Sequence, residues 1–439
     1  MATAPRHLSA ASAMAICMAS MIGSGIFSIT GLMGPMLGTS TNVIVAWILG
    51  GVLSLAGAFT VAELAANRPR SGALYVAACE TLGHRLGFVN GTVTVLVGYV
   101  AASAYIAVVI AAYAQEFIPW IPPRAAATAV LLILTLIHMA WLRGGVRLND
   151  TMAVLKIAML VVFAIAGLAS VGGDASPEAV KTTITPPAPW SMAVGAAVIA
   201  ISFAYLGWSA AADVAGEVTQ PARTLPIAIL GSVVAVTILY VLVNLAYVHA
   251  IPPSQMVNPT TGEPIADIGG AAATILFGPL IGRIMSLGII AVLLSTLSTM
   301  VFTGGRVLLA ISTAGQLPTP LQRLSPTGIP TRALLLQATL CLPFIWLPTL
   351  GGLLDYIGLL ITICASMSGV AVLIRRYRGE RRDWSMPLHP LPVILFLGLS
   401  AWLAVSAAIE RPMTAFYSVA TFGVILLIRP ALTGHAKAH

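Results

Sequence analysis

Residues 21–27 read MIGSGIF, two glycines and a serine set inside an apolar run that extends from about 9 to 36. A second interruption, AYLGWSA (204–210), lies inside the run 190–216. Glycine in a helix interior costs about 1 kcal/mol relative to alanine, and in lipid the backbone groups freed by a break find no water. Small residues at one such place serve close helix packing. These two runs are the first and the sixth of the chain, so each opens a block of five. Matching interruptions in two halves point to discontinuous helices around a midplane binding site.

Working outward, the rest of the chain has the composition such spans require. Of 439 residues, 58% are hydrophobic and 8% charged, and the mean hydropathy is +0.96. Soluble domains carry about 25% charged residues, and a single soluble core stops growing at roughly 250–300 residues. Disorder is excluded by the same hydrophobicity. The predicted class is an all-α integral membrane protein. Twelve candidate spans run over 9–36, 41–64, 86–113, 123–142, 150–172, 190–216, 225–250, 279–303, 331–349, 352–374, 391–409 and 412–429. The first is too long for a signal peptide and is followed by many others, so it is expected to be retained.

The net charge of +8 and pI near 9.6 do not describe a nucleic-acid binder. The basic residues stand in short clusters between apolar runs, with no aromatic interleaving on a soluble face. They report topology instead. With the N-terminus and every second loop on one side, seventeen of the 22 lysines and arginines share that side. Four (Arg124, Lys181, Arg283, Arg411) fall on the other, and Lys156 lies within a span. The positive-inside rule makes the basic side cytoplasmic, so both termini are expected there, in a cytoplasmic (inner) membrane. Cys17, Cys79, Cys341 and Cys364 show neither metal-ligand nor disulfide-framework spacing. No cofactor and no metal is expected, and no paired carboxylates or histidine cluster suggest catalysis.

An interrupted helix offers unpaired N–H groups from one half and unpaired carbonyls from the other. The first suit a carboxylate, the second an ammonium. A ligand carrying both on one carbon is an α-amino acid.

Four stretches in order carry a family resemblance: MIGSGIF (21–27), ELAANRPRSGALY (63–75), FAYLGWSAAADVAGEVTQPARTLPIAI (203–229) and GGRVLLAISTAGQLPTPLQRLSPTGIPTRAL (304–334). The chain resembles amino-acid permeases of the amino acid–polyamine–organocation superfamily, nearest the L-type and cationic amino-acid transporter-like branch with a lysine on helix 5. The resemblance implies the sodium-symporter-like inverted-repeat fold in a single membrane transport domain. Residues 9–172 and 190–374 would be its two five-helix repeats, and 391–429 two appended helices. It further implies that a substrate carboxylate meets the backbone N–H groups around Gly23, Ser24 and Gly25. The amino group would face carbonyls near Met21, Ile22, Phe203, Ala204 and Leu206, with Phe203 as a gating aromatic. The sequence departs from the family pattern at Ala73, at Gly305, and at Glu217, which stands alone where many relatives have paired acids. Ser209 occupies a place where cation-preferring relatives can carry an acid.

A cation within a span costs roughly 2.5–3.5 kcal/mol on insertion scales and marks a functional candidate. Lys156 could also snorkel toward the headgroups, two helical turns away past Asp150. The resemblance favours function: its ammonium would stand where sodium-coupled members hold an ion, with a carbonyl near Ile22 or Gly23 and a helix-8 hydroxyl, Ser295 or Ser298, as partners. Glu63, Asp213, Glu217 and Arg223 are read as a cytoplasmic gate. His138 and His249 are expected to be packed or interfacial, and Tyr99 and Trp208 could line the pocket.

These readings add up to a sodium-independent secondary transporter of small or medium neutral amino acids, working as proton-coupled symport or exchange. The rivals are an exchanger or exporter of cationic amino acids or polyamines, a membrane enzyme and a channel. Lipid and substrate are the expected partners. The stretch AQEFIPWIPPR (114–124) lacks the cysteine that disulfide-linked relatives use there.

Overall fold

The computed structural model describes residues 8–69, 73–140, 145–170, 190–213, 215–259, 261–313, 315, 317–326, 328–347 and 349–433. The first run breaks where the glycines lie. Helix α1 (Ala10–Met21) ends, Gly23 takes an extended backbone, and α2 (Ser24–Leu37) restarts. After α3 (Ser40–Asn67) and the short α4 (Ala73–Leu82), the third span combines α5 (His84–Val95), a π-helical turn (Leu96–Ala101) and α6 (Ala102–Ala114). Then come α7 (Pro123–Ala140), α8 (Gly145–Ala169) and α9 (Trp190–Ala204).

The sixth run breaks in turn: α9 ends at Ala204 and α10 (Ala210–Asp213) resumes the helix. Gly207 between them has φ +107°, a region L side chains rarely adopt. The remainder is α11 (Pro221–Ala250), α12 (Ile268–Phe277), α13 (Pro279–Thr313), α14 (Thr331–Trp346), α15 (Leu350–Tyr377), α16 (Leu391–Glu410) and α17 (Pro412–Thr433).

Among the described residues, eight helices, with α1 and α2 counted together and the third span as one, are long and apolar enough to cross a bilayer. Four further expected spans coincide with shorter apolar stretches, counted among the described residues: 154–169 in α8, 193–204 in α9, 331–346 in α14 and 412–428 in α17. The molecule is an all-α membrane bundle with a discontinuous first helix, as the inverted-repeat fold requires. The repeat boundary at 172 lies outside the described residues, as do Arg6, Arg70, Arg143, Lys181 and Lys437. Large apolar side chains of α7, α8 and α13, such as Ile133, Leu136, Val162, Ile165 and Ile284, point outward. That is the arrangement expected when hydrocarbon surrounds the bundle.

Two ends can be told apart. At the basic end, α3 and α15 finish, bringing Arg68, Arg375 and Arg376 together, and α11 begins with Arg223 in its first turn. At the opposite end, the segment 252–277, which includes the unforeseen α12, folds over α2. Gly31 of α2 lies directly under the Ile265 carbonyl, and a Cβ at Gly34 would come 2.5 Å from Met256 Sδ. Tyr113 ties three elements there: its hydroxyl donates to the Phe27 carbonyl at 2.6 Å and accepts from the Gly269 N–H at 3.0 Å.

Candidate functional site

The two breaks face each other. A Cβ at Gly25 would lie 2.6 Å from Ala204 Cβ, and one at Gly207 would lie 2.6 Å from Ser20 Cβ. The start of α2 is therefore pressed on the end of α9, and the second break on the end of α1. Only glycine allows backbone to approach backbone this closely.

A helix that stops leaves carbonyls without partners, and three at these two ends find a side chain. The Tyr240 hydroxyl of α11 lies 2.8 Å from the Met21 carbonyl and 3.0 Å from that of Ala204. The Lys156 ammonium of α8 donates to the Ala19 carbonyl, one turn before the expected partners near Ile22 or Gly23. That carbonyl belongs to the last turn of α1, whose carbonyls lack N–H donors once the helix ends. Lys156 is itself buried, 7% exposed. Its hydrogen bond goes to α1; on α13, the eighth expected span, the Ser298 hydroxyl lies 2.8 Å from His138 Nε2, and the Ser295 carbonyl accepts from the Thr299 hydroxyl.

At the other side of the first break, Ser24, Gly25 and Ile26 open α2 with N–H groups that have no intrahelical acceptor. Gly23 as N-cap brings no side chain to them. The Ser24 hydroxyl is buried and has no hydrogen-bond partner among the described residues. Phe203, buried at the end of α9, meets Tyr105 edge-on with ring centroids 5.0 Å apart. The Tyr105 hydroxyl lies 2.6 Å from Ser28 Oγ. In the second break, the Leu206 N–H turns back to the Phe203 carbonyl at 3.1 Å, and the Ser209 carbonyl accepts from Ala212 at 2.8 Å. Leu206, Ser209 and Gly23 are half-buried.

Of the four residues read as a gate, Glu63 and Arg223 line different grooves. Glu63 takes a bidentate ion pair from Arg376, at 2.8 Å (Nε) and 2.5 Å (Nη2), and a hydrogen bond from the Met386 N–H at 2.8 Å. Nearby, Arg68 pairs with Glu80 at 2.6 Å and Glu380 at 3.0 Å, and Arg375 with Glu80 at 2.7 Å. Arg223 lines a separate groove of about 370 Å³ with Gln220, Pro69 and Asp383. Asp213 has an exposed side chain. The Glu217 side chain lies outside the described residues. Among the described residues, no three His, Cys, Asp or Glu side chains gather to hold a metal.

Sequence reading missed Tyr240, Tyr105 and Arg376. A tyrosine in mid-span is the one available signal, because its hydroxyl must find a partner in lipid. The arginines at 375–382 were legible only as topology.

The family described as amino acid permease matches residues 8–428. The serine/threonine exchanger SteT of Bacillus subtilis is 29% identical over 93% of this chain and 92% of its own length. The methylthioribose transporter of the same organism is 26% identical, over 91% and 88%. The human large neutral amino acids transporter small subunit 2 is 27% identical, over 93% and 77%.

Proposed function

The chain belongs to the amino acid permease family, a family of transporters and not of enzymes, and from that premise we propose a sodium-independent secondary transporter of small or medium neutral amino acids. The substrate binds between the two breaks. Its carboxylate takes the N–H groups of Gly23, Ser24 and Gly25 and the Ser24 hydroxyl. Its ammonium takes carbonyls at Met21, Ile22, Phe203, Ala204 and Leu206, with Phe203 as the lid. The observation that carries this reading is the pair of helix ends held face to face, with one buried hydroxyl, Ser24, unpartnered beside the free N–H groups. Ser209 in place of an acid favours a neutral side chain.

Lys156 fills the place of a metal ion and makes sodium unnecessary, with Ser295 and Ser298 on the facing helix. Twelve spans, with the basic end and both termini in the cytoplasm, complete the proposal. Relatives that exchange serine and threonine or carry large neutral amino acids support the substrate class. A relative that carries methylthioribose shows that the scaffold admits other solutes. The test is counterflow of labelled serine, alanine and leucine in proteoliposomes, with arginine and a diamine as competitors. Saturable sodium-independent exchange of the neutral set supports the proposal. Preference for arginine or the diamine would instead establish the cationic exchanger.

A further inference from the structure

Breaking the sixth span strands polar backbone groups on both sides of Gly207. One side chain from the other break takes two of them. The Cys17 thiol of α1 donates to the Trp208 carbonyl at 3.3 Å, and its sulfur accepts the Ala211 N–H at 3.4 Å. Cys17 is fully buried. It stands three residues before Ser20, against which Gly207 is pressed. A second tie lies further along: the Leu8 carbonyl accepts both the N–H and the hydroxyl of Thr219, each at 3.0 Å. The segment from 208 to 219 is thus fastened to the start of α1 at one point and to its middle at another.

We propose that Cys17 is a positioning residue for the candidate site, holding residues 205–211 in the conformation that presents the second break to the first. A thiol suits this place because it serves as donor and acceptor at once without the bulk of a longer polar side chain. Burial alone would be met equally well by valine or alanine. The inference rests on the reading of the breaks as the substrate site, and it adds a residue that touches no substrate.

The test uses the full chain in lipid nanodiscs and proteoliposomes. In hydrogen-exchange mass spectrometry, Cys17→Ala is expected to speed exchange of peptides covering 205–213 by about threefold or more, the range expected for loss of such hydrogen bonds. Cys17→Ser, which keeps donor and acceptor, is expected to restore protection. In counterflow, Cys17→Ala is expected to raise KM about three- to tenfold with a smaller change in maximal rate. If Cys17→Ala fails to fold, Cys17→Val fills the volume without the hydrogen bonds and takes its place. Unchanged exchange at 205–213 in these variants overturns the proposal, as does a serine variant as loose as the alanine one. If the wild type shows no counterflow, the transport reading falls, while the exchange experiment still decides the role of Cys17.

Discussion

The hydroxyl of Tyr240 lies between the Met21 and Ala204 carbonyls, at 2.8 and 3.0 Å, so one side chain of α11 joins the end of α1 to the end of α9. It carries one proton for two acceptors. The ring is fixed from both sides, edge-on to Trp47 and to Tyr205 with centroids 5.3 Å away in each case. Its neighbour Asn244 donates back to the Tyr240 carbonyl at 2.8 Å, and Trp47 donates to Thr30 at 3.0 Å. These contacts knit α1, α2, α3, α9 and α11 around the breaks.

Tyr240→Phe keeps the ring packing and removes the proton. Two buried carbonyls then lose their donor, at a cost of about 1–3 kcal/mol. A lower midpoint of thermal unfolding and a raised KM are expected together. A variant with wild-type values in both would show that the bridge is dispensable.

The breaks themselves were legible because glycine inside an apolar run is visible residue by residue. Their partners were not. Tyr240 is separated by 219 residues from Met21, and Arg376 by 313 from Glu63, and no local pattern encodes such pairings. The π-helical turn at Leu96–Ala101 carries no glycine or proline mark of its own beyond Gly98. The ten-residue α12 has an apolar run too short to span, so its sequence does not distinguish it from the loop between the seventh and eighth spans. Lys156 was recognised by the cost of its charge, but its partner lay a turn earlier on α1 than the motif implied.

Lys156→Ala removes the donor from the Ala19 carbonyl and opens a hole between α8 and α1. Counterflow is expected to fall by about tenfold or more, the equivalent of one buried acceptor left unpaired. Replacing sodium by choline is expected to leave wild-type uptake unchanged. A sodium requirement in the wild type would remove the argument that the ammonium stands in for an ion.

Gly25→Ala is the smallest change that tests the closeness of the breaks. Its methyl would lie 2.6 Å from Ala204 Cβ and 2.7 Å from Ala204 Cα, so backbone must yield. Transport is expected to be lost while Gly38→Ala at the far end of α2, where a Cβ meets open space but φ is +71°, costs mainly local strain. Equal activity of the two variants in proteoliposomes would contradict the packing argument.

Glu63 and Arg376 pair with side chains 5% and 17% exposed. Removing one partner from a buried pair costs about 3–5 kcal/mol, whereas replacing both with apolar groups is often neutral. Partial exposure of Arg376 lowers that figure somewhat. Glu63→Gln keeps shape and acceptor but loses the charge, so a clear loss of thermal stability is expected. Glu63→Leu with Arg376→Leu is expected to recover most of it. A double variant no better than the single one would shift the weight to the Met386 N–H, the third contact of Glu63.

Asp267 stands just before α12, outside the spans, and burial holds its carboxyl above the ordinary carboxylate range; its own backbone N–H opposes this and Glu116 adds to it. Glu116 itself pairs with Arg283 at 3.2 Å. The sign follows from linkage. Between the unfolded and the raised native value the native state binds more protons, so docking of the 252–277 segment over α2 strengthens as the pH falls through that window. Above it the charged carboxylate carries its full desolvation penalty. Asp267→Asn has no charge to desolvate, and at neutral pH it is expected to protect this segment better than the wild type and to lose the pH slope. Limited proteolysis of the segment across the acidic range reads both effects, and protection in the wild type that rises with pH would reverse the assignment.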